Sequence, residues 1–150
     1  LPAGMGPVTA AALLAVLSPR AHWSVNVRWA RRVARQPMAR VSTPANRRKA
    51  WRIRLGERPA AVLGGLKVRA FWRAIAGDPE AAVIDVWMTR AMGLPYPLSD
   101  RQYSEAADAI TRAAEIVGET TRDFQAIVWM QVRGVKPTDP IGFRPVEEVS

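Results

Sequence analysis

LKVRAFWRAIAGDPEAAVID, residues 66–85, is the stretch from which the rest of the chain can be read. Val68, Phe71, Trp72 and Ile75 recur at three- and four-residue intervals, which predicts a short amphipathic helix over Lys67–Ala76, and Gly77-Asp78-Pro79 stops it. The chain then runs extended through Ala81–Ile84 and delivers Asp85 to the start of a second helix, Val86–Met92. An aspartate there caps free backbone N–H groups at the positive end of the helix dipole. A partly buried carboxylate of this kind is a plain cap unless it faces a cavity, where it can activate water or stabilise a developing sugar cation. A helix, a stop, an unpaired extended link and another helix point to an all-α protein.

Working upstream, Pro7–Leu17 reads as an alanine-rich helix central to the packing, with Ala11, Leu13, Leu14, Val16 and Leu17 mostly buried. Ser18-Pro19-Arg20 breaks it. His22–Arg35 is the next helix, with Val25, Trp29 and Val33 on one face and Arg28, Arg31, Arg32 and Arg35 on the others. Gln36–Asn46, containing Pro37 and Pro44, reads as a loop before a very basic short helix, Arg47–Arg54. Arg58–Leu63 makes a turn or short helix ahead of Gly64-Gly65, a pair that permits positive φ and close backbone approach. Downstream, Gly93–Leu98 is a rigid loop and Ser99 begins a helix to Val117, ended by Gly118. Thr120 caps a last helix whose buried side is Phe124, Ile127, Val128 and Val132. About seven helices, with no strand pair and no internal repeat, make one compact all-α domain over residues 1–134, followed by a proline-containing, acidic-ended tail at 135–150.

Composition narrows the function. A chain of 150 residues suits one domain. With no cysteine and one histidine, disulfides, thiol nucleophiles, Cys-based metal sites and multi-histidine metal sites are excluded, and neither metal nor cofactor is expected. The longest apolar run, Ala10–Leu17, is far below the roughly 20 residues of a membrane span, so a cytoplasmic protein without a membrane partner is expected. Because residue 1 is leucine, residues 1–4 read as a processing remnant or the chain as a fragment. Net charge is +9, unevenly placed: residues 1–77 hold fifteen Lys/Arg and one acid, Glu57, for +14, and residues 78–150 hold seven basic and twelve acidic residues, for −5. That asymmetry is the footprint of a polyanion-binding surface, with nucleic acid the leading partner; the alternative is a solvated basic face that maintains solubility.

Lys67 followed after eighteen residues by Asp85, the latter in Ile84-Asp85-Val86-Trp87-Met88-Thr89-Arg90, resembles the helix-hairpin-helix GPD superfamily of DNA glycosylases. In its endonuclease III-like members a hairpin lysine precedes the catalytic aspartate of a V-D-x-H-x-x-R segment by a similar interval. Leu17-Ser18-Pro19-Arg20 and Ser24-Val25-Asn26 resemble the family's L-S-x-Q…V-N segment, so the two matches together cover about half the chain. The hairpin is degenerate, Val62-Leu63-Gly64-Gly65-Leu66-Lys67 standing for the usual L-P-G-V-G-x-K, with Arg20 in place of the family's glutamine and Trp87 where histidine is common. Leu17-Ser18-Pro19, Gly64-Gly65-Leu66-Lys67 and Gln125-Ala126-Ile127-Val128-Trp129 are also similar to segments of small actinobacteriophage proteins, which implies a phage-encoded protein acting in a bacterial host.

The resemblance implies roles for particular residues. Asp85 would stabilise the oxocarbenium-like sugar or orient water, and Lys67 would attack C1′ as an amine or hold a phosphate, unless it is simply a surface lysine. Arg20 would fill the gap left by a flipped base, with His22, Trp23 and Asn26 beside it. Arg28, Arg31, Arg32, Arg47, Arg48, Lys49, Arg52 and Arg69 would meet phosphates, together with the Gly64-Gly65 backbone. Trp51, amid the basic run, suits either a nucleic-acid groove or a packing anchor. Trp87, Gln125 and Trp129 would line the base pocket, although Trp129 suits a core equally well. Three functions follow: cleavage of an N-glycosidic bond in duplex DNA, a non-catalytic DNA-binding module on the same fold, or a transfer or exchange at a modified phage base.

Overall fold

Alanine dominates the first helix, and that composition places it at the centre. In the computed structural model, which describes residues 5–134, α1 (Pro7–Leu17) is apolar on every side. A helix of that kind must be surrounded, and α1 packs against α2 (Trp23–Arg35), α3 (Pro44–Arg54) and α5 (Leu66–Ile75). Leu13 and Leu17 are fully buried among Val33, Ile53 and Leu63, the last beside the four-residue α4 (Pro59–Val62). Burying each such side chain is worth about 1.5–3 kcal/mol before entropy is charged against it.

A second core forms around α6 (Val86–Ala91), α7 (Asp100–Val117) and α8 (Thr121–Arg133). There Ile84, Met88, Ala106 and Ile110 are buried, with Phe124 and Val128 packed over them. Ser99 and Gln102 form a reciprocal capping box on α7, and the Thr120 hydroxyl caps α8. Gly118 and Gly134 close the two helices in the left-handed conformation. The described residues therefore form eight helices and no strand in an all-α domain.

Residues 58–63, read as a turn or short helix, contain the short helix α4 (Pro59–Val62), which brings the count to eight among the described residues. Two expectations need adjustment. The basic helix starts at Pro44, inside the expected loop, because the Thr43 hydroxyl caps it and Pro44 occupies a first-turn position that needs no N–H. His22 is the cap residue of α2 and not its first turn. The expected tail at 135–150 and the remnant at 1–4 lie outside the described residues.

The link between the two cores is extended, as its sequence implies, and side chains of the last two helices hold its backbone. Val83 N–H donates to Gln125 Oε1 at 2.7 Å, and Gln125 Nε2 donates back to the Val83 carbonyl. Tyr103 Oη accepts from Ile84 N–H and donates to the Ala82 carbonyl, each at 3.1 Å. Thr121 Oγ1 donates to Glu80 at 3.0 Å, and Arg122 N–H donates to the Pro79 carbonyl at 2.9 Å. An extended segment outside any sheet needs partners for its peptide groups, and here the helices supply them.

Candidate nucleic-acid interface

Among the described residues, the largest set of exposed cations without an ion pair on one helix is on α2. Arg28, Arg31, Arg32 and Arg35 are spaced three, four and seven apart, so they share one exposed side while Ala30, Val33 and Ala34 face the core. The four arginines and Gln36 line an open groove of about 470 Å³. None of the four is ion-paired among the described residues, and the first acid in the chain is Glu57. Such a groove offers guanidinium forks to phosphates and nothing to a cation.

The turn into α2 adds Arg20, His22 and Trp23, all exposed. Arg20 has φ 59°, a left-handed conformation, inside a turn closed by Ala21 N–H donating to the Ser18 carbonyl at 3.1 Å. A non-glycine residue there carries strain, which is a feature of functional turns.

A second basic region joins α3 to the hairpin before α5. Gly64 and Gly65 are exposed, Gly65 has φ 77°, and no side chain caps the N-terminus of α5. A Cβ placed on Gly64 would lie 3.8 Å from Lys49 Nζ, so the ammonium sits directly over the hairpin. Arg48 is exposed nearby on α3.

Other expected contacts are engaged within the protein. Asn26 is buried, with 1% exposure, and its Nδ2 donates to the Leu14 carbonyl at 3.0 Å. That corrects its assignment to the DNA surface: Asn26 satisfies a carbonyl at the end of α1. Arg69 folds back, donating to the carbonyls of Leu63 at 2.8 Å and Ala60 at 3.5 Å, and so fastens the hairpin. Arg52 pairs with Glu57 through two hydrogen bonds, and this guanidinium holds the Glu57 carboxyl below its usual range. Arg47 is half-buried with its guanidinium 5.3 Å from the Trp51 ring centroid, while Trp51 Nε1 donates to the Ala39 carbonyl at 3.0 Å. Trp51 is therefore an anchor.

Asp85 caps α6 as the sequence implies: its Oδ1 accepts from Trp87 N–H at 3.0 Å and Met88 N–H at 2.9 Å. Asp85 is half-buried. Burial pushes the neighbouring Tyr103 phenol up, its hydrogen bond from Ile84 N–H opposes this, and the Asp85 charge adds to the rise. Lys67 is exposed on α5, with Nζ 6.0 Å from the Tyr96 ring centroid and no ion pair to Asp85. No ion pair joins the two residues expected to share a reaction centre, and neither lines the α2 groove or the cavity between α1 and α2.

The expected pocket residues also have other work. Gln125 holds Val83 and is not a free wall. Trp87 lies under Arg90 at 4.6 Å and Arg133 at 5.3 Å, and Arg133 also covers Trp129 at 4.5 Å. These cation–π contacts tie α6 to α8. Arg90 and Arg133 escaped the sequence reading, although Trp87/Arg90 and Trp129/Arg133 stand at the three- and four-residue spacings that let helical neighbours meet. No group of three His, Cys, Asp or Glu residues that could hold a metal occurs among the described residues, and no helix among them is long and apolar enough to cross a membrane.

Fold and surface together define an all-helical domain with an unpaired arginine groove on one helix and a basic hairpin on another. Residues 3–136 match the model of DUF7178, a family of unknown function, and the chain belongs to that family. No curated protein and no solved structure matches it.

Proposed function

We propose that this protein binds nucleic acid, with duplex DNA the partner, by seating phosphates in the α2 groove and at the Gly64-Gly65 hairpin. The observation that carries this reading is the set Arg28, Arg31, Arg32 and Arg35, exposed together around one groove without a carboxylate partner among the described residues. Sequence-independent affinity would come from counterion release, with log K falling by roughly 0.9 per phosphate contact for each unit of log salt. Fluorescence anisotropy with a labelled duplex across a salt series tests it. Replacing Arg31 and Arg32 with glutamine should weaken binding and lower the slope by about two contacts. An unchanged slope would exclude the groove.

A second reading, glycosidic bond cleavage, is favoured by one detail at Asp85. Its Oδ1 takes both cap hydrogen bonds, and Oδ2 has no hydrogen-bond partner among the described residues. That oxygen could face a sugar cation or a water once DNA is bound. Asparagine caps helices about as well as aspartate, so Asp85→Asn preserves the fold while removing the charge. Duplexes carrying single damaged, mismatched or modified bases should lose a base with the wild type and not with the variant. Release that persists in Asp85→Asn would sink the catalytic reading, and binding without release throughout would leave the binding module alone.

A further inference from the structure

Beside the arginine groove, between α1 and α2, lies a cavity of about 460 Å³. Leu13 and Leu14 line it from α1, and Val27 and Ala30 from α2, and among the described residues Arg31 and Arg35 are its only charged lining residues. Arg31 and Arg35 also belong to the groove, so the apolar cavity and the cationic groove share a wall. Apart from those guanidiniums, the lining side chains among the described residues are apolar, aliphatic but for the Met5 thioether.

The lining selects a ligand class. A nucleobase would find no aromatic face to stack on and no neutral polar side chain to read its edge. An extended peptide would bring backbone N–H groups into a wall whose side chains offer donors but no acceptor. A saturated hydrocarbon chain carries no unmet polar group and is favoured by the area it removes from water. An anionic head on that chain would meet two guanidiniums, because α1 and α2 contain no acidic residue and neither Arg31 nor Arg35 is ion-paired among the described residues. We propose that the α1–α2 cavity binds a free fatty acid, its chain on Leu13, Leu14, Val27 and Ala30 and its carboxylate on Arg31 and Arg35. The carboxylate would then occupy guanidiniums that the proposed DNA contact also uses, making the fatty acid a competitor of DNA. Only that last step rests on the DNA-binding reading.

Isothermal titration of the whole protein with dodecanoate, kept below its micelle threshold, tests the site directly and without DNA. Saturable one-to-one binding is expected, with dodecanol at least about tenfold weaker because it lacks the charge. Ala10 and Val27 both line the cavity, and Ala10→Leu and Val27→Phe, each checked for folding by circular dichroism, should each weaken dodecanoate about tenfold and leave duplex affinity unchanged. Two variants protect the test against one that fails to fold. Absence of saturable binding, equal affinity for dodecanol, or undiminished binding in both folded variants would overturn the proposal. So would binding to phosphatidylglycerol vesicles without binding to monomeric dodecanoate, which would indicate a membrane surface. If the protein proves to bind DNA, rising dodecanoate should release the labelled duplex; simultaneous binding of both would overturn the competition while the direct titration still decides the site.

Discussion

Gln125 makes a test of how the two cores are joined. Its amide pairs with both the N–H and the carbonyl of Val83, across 42 residues of sequence. Each such bond is worth about 0.5–1.5 kcal/mol net, and a buried group left unpaired costs about 1–3 kcal/mol. Gln125→Ala should therefore lose about 1–3 kcal/mol, Val83 being half-buried and its freed groups partly reachable by water. For a domain of this size that corresponds to a fall in melting temperature of roughly 3–10 °C. Gln125→Glu gives a sharper signature. A carboxylate can accept from Val83 N–H but cannot donate to its carbonyl, whereas a protonated carboxyl can do both. The folded state then favours the protonated form, raising the pKa of the new carboxyl above its unfolded value near 4.3. Stability supplied by the protonated form is complete below that unfolded value and is lost as pH rises through the folded one. Thermal melts followed by circular dichroism should show Gln125→Glu close to wild type at pH 4 and clearly below it at pH 7. Equal deficits at both pH values, or a Gln125→Ala melt indistinguishable from wild type, would refute the account of the link.

Two further outcomes follow from local geometry. Arg20 holds φ 59°, so Arg20→Gly should keep or raise the melting temperature, relief of roughly 1 kcal/mol of left-handed strain offsetting the flexibility glycine adds to the unfolded chain; duplex affinity should fall, and a drop in melting temperature would show that the arginine is held there by contacts of its own. Burial pushes the Tyr103 phenol up, so the unfolded chain ionises first as pH rises above about 10; the stability it contributes is complete below that value and lost above it, and Tyr103→Phe should flatten the alkaline fall in melting temperature, a result checked by melts between pH 8 and 11.

Patterns that are local in sequence were legible, and pairings across long separations were not. The stop at Gly77-Asp78-Pro79, the Asp85 cap and the Ser99 helix start all depend on a few adjacent residues, and each is observed. Pro44 was misleading because a proline in a polar stretch suggests a loop, although after a threonine it equally marks a first helical turn. Asn26 sits four residues before Ala30 and seven before Val33, the spacing of the buried face, and it was the resemblance of Ser24-Val25-Asn26 to the glycosylase segment that placed it on the surface. No local pattern could reveal that Gln125 and Tyr103 serve the 82–84 backbone, since that pairing exists only after the two helices have docked. The candidate site divides in the same way. The α2 arginines were legible from charge and spacing, whereas the approach of Lys67 to the Tyr96 ring, without an ion pair to Asp85, is a matter of tertiary arrangement.

The groove also has an energetic cost in the free protein. Arg28 with Arg31 and Arg32, and Arg35 with Arg31 and Arg32, are like-charged neighbours at three- and four-residue spacing on α2. Each such pair is unfavourable by about 0.2–0.5 kcal/mol, so the four together cost roughly 1–2 kcal/mol. Arg32 and Arg35 recover part of this by facing the negative end of the helix dipole, but Arg28 and Arg31 lie too far from it. No acid on α2 relieves them, although a glutamate one turn away would have done so at little structural expense. Solubility alone does not need this arrangement, because the same charges scattered over the surface would serve it without mutual repulsion. An anion that enters the groove removes the repulsion and gains four charge-assisted contacts at once. For that reason the clustering, more than the net charge of +9, argues for a polyanionic partner at α2.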